Sequence, residues 1–227
     1  MDSLITGAAW YVVFLFSTVM HEAAHALAAL RGGDLTAYHG GQVSLDPMPH
    51  IRREPMGTVV IPILAFVMSG WMIGWANTPY NREWARTYPR RAAWMGLAGP
   101  AANLMLLVVS FAIIKIGLAT GFFAPPEAPF TMSRITVGAQ PGWSQTAAMM
   151  TSIMFALNLV LLVFNLLPLP PLDGTSIVAL VLPEASARRY HDLIHNPMFG
   201  LIGIFVAWFV FSPIFHWVIS AAFRLLY

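Results

Sequence analysis

The sequence predicts an all-α polytopic membrane protein, organised as a single domain over residues 1–227. Three observations carry this reading. Hydrophobic residues make up 58% of the chain and charged residues only 10%, against about 25% charged in soluble proteins. Mean hydropathy is +0.68. The apolar residues also run in long stretches, near 4–30, 56–78, 92–123, 144–170 and 197–223, each long enough for a transmembrane helix of about 20 residues.

The first stretch ends in His21-Glu22-Ala23-Ala24-His25. On a helix, residues i and i+4 share a face, so His21 and His25 can offer two imidazole nitrogens to one metal ion, with Glu22 beside them. Ionisable groups inside a membrane helix are costly and mark function by default. The plainer alternative is a satisfied pair of helix-end histidines with an incidental glutamate. The second stretch contains Pro62, Gly70 and Gly74, which are residues that break or turn a helix at membrane depth. The third carries Gly99-Pro100-Ala101-Ala102-Asn103. The fourth ends at Asn165, before a segment with Pro168, Pro170 and Pro171 that leads into Asp173-Gly174. The fifth, 197–223, carries none of these polar groups apart from His216.

Composition removes several classes of function. The absence of cysteine excludes disulfides and thiolate metal sites, leaving His, Asp and Glu as strong metal ligands. A formal charge of +2, with no basic run, excludes an extended nucleic-acid surface. A cleaved signal peptide is not expected, because the first segment has Asp2 in place of a basic n-region and carries the histidine pair. His191 and His195 repeat the i, i+4 spacing in a polar segment with Asp192, where a solvated helix face is the simpler reading. The thirteen methionines read as adaptable packing.

Hydrolytic zinc takes three protein ligands and keeps a fourth position for water. Of the ten acidic residues, Glu22 and Asp173 are the two in or directly against apolar spans, which makes Asp173 the natural third ligand. Taken alone, an Asp-Gly after prolines is only a turn signal.

With these residues in place, the chain resembles the site-2 protease family of intramembrane zinc metalloproteases. The resemblance rests on His21-Glu22-Ala23-Ala24-His25, on Gly99-Pro100-Ala101-Ala102-Asn103, and on Asn165 through Asp173-Gly174. Gly33-Asp34 through Asp46-Pro47, His50 and Gly74-Trp75-Ala76 are similar to a compact branch without PDZ or CBS modules. The resemblance implies one Zn2+ per chain held by His21, His25 and Asp173, with Glu22 as catalytic base and a transmembrane protein as substrate. It also implies a core of three motif-bearing helices plus a further C-terminal helix. One departure is the spacing, since Asn165-Leu166-Leu167-Pro168 separates the asparagine from an Asp-Gly that some branches hold in a tighter Asn-Pro-Asp-Gly.

The ligand set constrains topology. If all five stretches crossed, the end of the fourth would lie across the membrane from the end of the first, and Asp173 could not reach His21. A re-entrant 56–78 restores the parity. It also gathers Arg31, Arg52, Arg53, Arg82, Arg86, Arg90, Arg91, Arg188 and Arg189 on the active-site side, which the positive-inside rule makes cytoplasmic in the cell membrane. Arg31 follows His25 by six residues, so the metal would lie about 10 Å inside the boundary. The polar stretch 31–53 could form a small hairpin that presents an edge to an unwound substrate, or an ordinary solvated loop. Asn103 and Asn165 are candidate donors to substrate or oxyanion, and equally candidates for bonding helices together, as is Asn158. A non-catalytic zinc-binding scaffold and a zinc transporter are the alternatives from other classes. An intact Glu22 counts against the first, and a single compact constellation counts against the second.

Overall fold

A computed structural model describes residues 2–127, 130–194 and 197–227, so His195 lies outside the described residues. The chain opens with α1 (Asp2–Gly32), then two short helices, α2 (Thr36–His39) and α3 (Pro47–Arg53). A π-helical turn over Met56–Val60 runs into α4 (Ile61–Ser69), followed by extended chain and then α5 (Arg82–Thr87) and α6 (Pro89–Ala119). A two-stranded pairing of β1 (Phe123–Ala124) and β2 (Val137–Gly138) precedes α7 (Trp143–Asn165) and α8 (Asp173–Ile177). A 3₁₀ turn, α9 (Glu184–Ile194) and α10 (Pro197–Leu226) complete the described elements. Helices α1, α6, α7 and α10 are long and apolar enough to cross a membrane, so the chain is an all-α polytopic membrane protein.

The stretch 56–78 goes out and comes back. Met56–Ser69 supplies about 20 Å of helix, short of a hydrocarbon core of about 30 Å. Gly70 stops it in the left-handed conformation at φ 78°, which a residue with a Cβ adopts only under strain. The extended return then lies against the outgoing turn: Trp75 N donates to Gly57 O at 3.1 Å, and Asn77 Nδ2 donates to Glu54 Oε1 at 2.8 Å. Residue 77 is therefore back beside residue 54. The approach needs glycine on both sides, since a Cβ on Gly57 would sit 2.2 Å from Trp75 O and one on Gly74 would sit 2.2 Å from Gly57 O.

The stretch 31–53 is not the hairpin considered from the sequence but two short helices. Pro47 and Pro49 lack the N–H groups that one edge of a paired strand needs, and Pro47 instead starts α3, with Asp46 accepting from Met48 N at 2.9 Å. The β1–β2 hairpin lies at the far end of the molecule. There Trp10 Nε1 donates to Ser133 Oγ (2.9 Å), Tyr227 OH donates to Ile135 O (2.6 Å), and Lys115 Nζ donates to the terminal carbonyl of α10 at Leu226 (3.0 Å). The start of α1 and the ends of α6 and α10 thus share one end. At the other end, Gly32 O at the close of α1 accepts from Trp84 Nε1 (3.0 Å) and an Arg91 guanidinium nitrogen (3.1 Å).

Helix α7 is the most enclosed of the four long helices. One side packs Ile153 and Leu157 against Trp10, Val13 and Phe14 of α1; the other packs Phe155, Ala156 and Leu159 against Ile114 of α6 and Leu226 of α10. Lipid is as apolar as these side chains, so the bundle is held by close packing and interhelical hydrogen bonds rather than by burial from water. Helix α10 is the least enclosed of the four; besides Leu226 it meets the core at Ala207, packed on Leu167 and Leu172.

Candidate active site

Two elements that carry the candidate ligands meet on one face of α6. His21 and His25 project from the same face of α1, as i, i+4 spacing requires. Asp173 opens α8, where Pro168, Pro170 and Pro171 have ended the path of α7. Between them, α6 presents two glycines one turn apart. A Cβ on Gly99 would lie 2.3 Å from His25 Nε2 and 2.5 Å from His21 Nε2, and a Cβ on Gly96 would lie 2.7 Å from Ser176 Cβ and 3.3 Å from Asp173 O. Only a helix bare at both positions lets α1 and α8 approach closely enough to share a centre.

The three groups converge on one point. His21 Nε2 lies 2.9 Å from His25 Nε2, and Asp173 Oδ2 lies 3.0 Å from the first and 3.3 Å from the second. Both rings are tied down through their other nitrogen. His25 Nδ1 donates to the Met95 carbonyl at 2.7 Å, and His21 Nδ1 lies 2.6 Å from Asn103 Oδ1. Pro100, lacking an N–H, cannot donate to the Gly96 carbonyl one turn back, so the ladder of α6 is interrupted next to the Met95 carbonyl that receives His25.

With Nδ1 committed to an oxygen, each neutral ring turns a bare Nε2 lone pair toward a carboxylate oxygen. That oxygen, Asp173 Oδ2, is buried and has no hydrogen-bond partner among the described residues apart from its contacts with these rings. Three electron-rich atoms so close together require a cation, either a proton or a metal ion. Ligands held 2.0–2.1 Å from a tetrahedral zinc ion lie about 3.3 Å apart, so the donor set and its spacing fit zinc.

A sequence model of peptidase family M50 matches residues 9–210. The chain belongs to this family, the site-2 proteases. It is 31% identical over 205 residues to the protein named "Putative zinc metalloprotease YwhC" of Bacillus subtilis, covering 87% of this chain and 83% of that one. It is 32% identical over 161 residues to "Putative zinc metalloprotease Rip2" of Mycolicibacterium smegmatis, covering 71% of this chain and 52% of the relative, and so spans about half of that protein's length. The Rip2 of Mycobacterium tuberculosis strain H37Rv is 29% identical over 193 residues, 85% of this chain and 63% of the relative. No solved structure matches the chain.

The remaining residues named from the sequence fall into different settings in this M50 chain. Glu22 is 5% exposed, and its carboxylate Oε2 accepts from Thr78 Oγ1 at 2.7 Å. Asn103 is fully enclosed and engaged on both sides, by His21 and by Asn158. Asn165 ends α7 half-buried, and its side chain makes no hydrogen bond among the described residues. Thr78, Gly96 and the Met95 carbonyl were not legible as site components. A threonine, a glycine and a backbone oxygen carry no chemistry of their own that a sequence pattern could flag.

Proposed function

We propose that the chain is an intramembrane zinc endopeptidase that hydrolyses peptide bonds within or near the transmembrane segments of membrane-protein substrates. The observation that carries the proposal is the convergence of His21, His25 and Asp173 beside Glu22, among helices apolar enough to lie in a bilayer. Family membership supports the hydrolytic class, and the names of the relatives support zinc.

His21, His25 and Asp173 would hold one zinc ion, which when bound supplies a Lewis acid that polarises the scissile carbonyl and lowers the pKa of a water. Glu22 takes the proton of the attacking water at its carboxylate and later delivers it to the leaving amine. Thr78 holds one carboxylate oxygen of Glu22 and leaves the other for proton transfer. Asn165 has an unengaged amide at the end of α7, before the turn that carries Asp173, and serves as the donor to substrate or oxyanion. Asn103, committed to His21 and Asn158, acts on the ligand shell instead.

The nine arginines at the Gly32 end orient this end toward the cytoplasm of a cell membrane under the positive-inside rule. Among the described residues there is one group of three candidate metal ligands, whereas a transporter would need alternating sites along a path.

Cleavage of a purified membrane-helix substrate by the wild-type chain and by Glu22→Gln, with zinc quantified in both, tests the proposal. The expected result is stoichiometric zinc in both and cleavage by the wild type alone. Equal cleavage by the two, or a wild type without zinc, would falsify it.

A further inference from the structure

Behind His21 runs a fully buried chain of polar groups whose direction is set from one end. It joins all three motif-bearing helices. Asn158 on α7 places its amide nitrogen 2.8 Å from the Met154 carbonyl and 3.0 Å from Ser17 Oγ on α1. Its amide oxygen faces Asn103 Nδ2 on α6 at 2.9 Å, and Asn103 Oδ1 in turn faces His21 Nδ1 on α1 at 2.6 Å. Ser17, Asn103 and Asn158 are each 0% exposed. The chain leaves α1 at His21 and returns to it one helical turn earlier, at Ser17.

Each link dictates the next. A main-chain carbonyl can only accept, so Met154 O forces Asn158 to present its NH₂ there and its oxygen to Asn103. Asn103 must then donate to Asn158, and its own oxygen is left for His21. An amide oxygen can only accept, so His21 must carry its proton on Nδ1, and Nε2 is left as a lone pair aimed at Asp173. A flipped Asn158 would set its oxygen against the Met154 carbonyl and its NH₂ against the NH₂ of Asn103, two buried polar mismatches at once. His25 needs no relay, because it meets a carbonyl directly at Met95.

We propose that Asn158 and Asn103 form a directed hydrogen-bond relay that fixes the His21 imidazole in its Nδ1–H tautomer and thereby readies Nε2 for the metal. Asn158 is a positioning residue, remote from substrate, and acts through Asn103. The metal-binding consequence rests on the zinc site proposed above; the tautomer does not.

The experiment separates the two. In the purified full-length chain in detergent micelles, ¹⁵N-histidine NMR of the metal-free protein reads which nitrogen of neutral His21 holds the proton, and chelator competition with zinc alone reads its affinity. The wild type is expected to show protonated Nδ1. Asn158→Leu removes the acceptor that orients Asn103 and is expected to yield mixed His21 tautomers and zinc binding weaker by about 10–100-fold, the range for a lost ligand partner. Asn158→Asp keeps an oxygen for Asn103 and is expected to retain the wild-type tautomer. A wild type protonated on Nε2 overturns the relay even if no variant folds, as does Asn158→Leu with wild-type tautomer and zinc affinity. A wild type protonated on Nδ1 that binds no zinc leaves the relay standing and sinks the zinc site.

Discussion

The Thr78 hydroxyl lies 2.7 Å from the carboxylate of Glu22 and 2.9 Å from the main-chain carbonyl of the same residue, so the returning limb of the 56–78 excursion rests on the proposed general base. A hydroxyl has one proton to share between these acceptors, and a hydrogen bond to a charged group contributes about 1.5–3 kcal/mol. Thr78→Val keeps the shape of the side chain and removes the donor. Steady-state cleavage by this variant is expected to fall in kcat by about tenfold with zinc content unchanged, and Thr78→Ser is expected to restore the rate. A valine variant with wild-type kcat would show that the contact is structural only.

Gly99 is expected to tolerate no side chain. Alanine is ordinarily better than glycine inside a helix by about 0.5–1 kcal/mol, yet a Cβ here would meet His25 Nε2 at 2.3 Å and His21 Nε2 at 2.5 Å. Gly99→Ala should lose zinc, measured by metal analysis after dialysis, while keeping the helical circular dichroism of the wild type. Retention of stoichiometric zinc would mean that the two rings are freer to move than their Nδ1 hydrogen bonds imply.

Asp173 is the proposed ligand whose removal should separate metal binding from fold. Asp173→Ala leaves a pair of histidines, one short of the usual three-ligand site, and is expected to abolish both cleavage and zinc retention. Treating the wild type with a strong chelator should reproduce the loss of activity, and added zinc should restore the wild type but not the variant. Activity that survives complete metal removal would exclude zinc from the reaction.

Helix α10 packs tightly against the turn that carries Asp173. A Cβ on Gly203 would lie 1.8 Å from Pro170 O, on the proline turn that carries Asp173, and Ala207 packs against Leu167 and Leu172 of the same segment. Gly203→Ala must push α10 and the turn apart, so lower thermal stability and weaker zinc affinity are expected together. Gly200→Ala, three residues away and facing open space, is the control and should change neither.

With Asn77 lying against Glu54, 56–78 is expected to leave and re-enter on one side of a membrane. Cysteine-accessibility labelling in intact cells should report positions 53 and 80 on the same side and position 133 on the other. Labelling of 53 and 80 from opposite sides would make 56–78 a crossing segment and break the parity that brings Asp173 to His21.

Much of this protein was legible in its sequence because the relevant physics is local or compositional. The four long helices follow from runs of apolar residues matched to the thickness of a bilayer, and the facing histidines follow from 3.6 residues per turn. The turn at 56–78 was reached from the need for Asp173 to meet His21, with Pro62, Gly70 and Gly74 as candidate breakers; Gly70 stops the outgoing helix, whereas Pro62 sits in the first turn of α4 and breaks nothing. The hairpin considered for 31–53 failed on Pro47 and Pro49, which lack the donors a strand edge needs, and Pro47 starts α3 instead.

Only the tertiary structure decided how the groups are held. Sequence spacing places His21 beside His25, but which ring nitrogen each histidine offers depends on the oxygens opposite: the Met95 carbonyl for one, and Asn103, oriented through Asn158, for the other. Asn103 and Asn165 looked alike as buried amides on core helices. Packing encloses the first completely and leaves the second unengaged, because α1, α6 and α7 close around residue 103 while α7 ends at residue 165. Spacing along one helix is read from the chain itself; the direction of a hydrogen bond between helices exists only once both partners are in place.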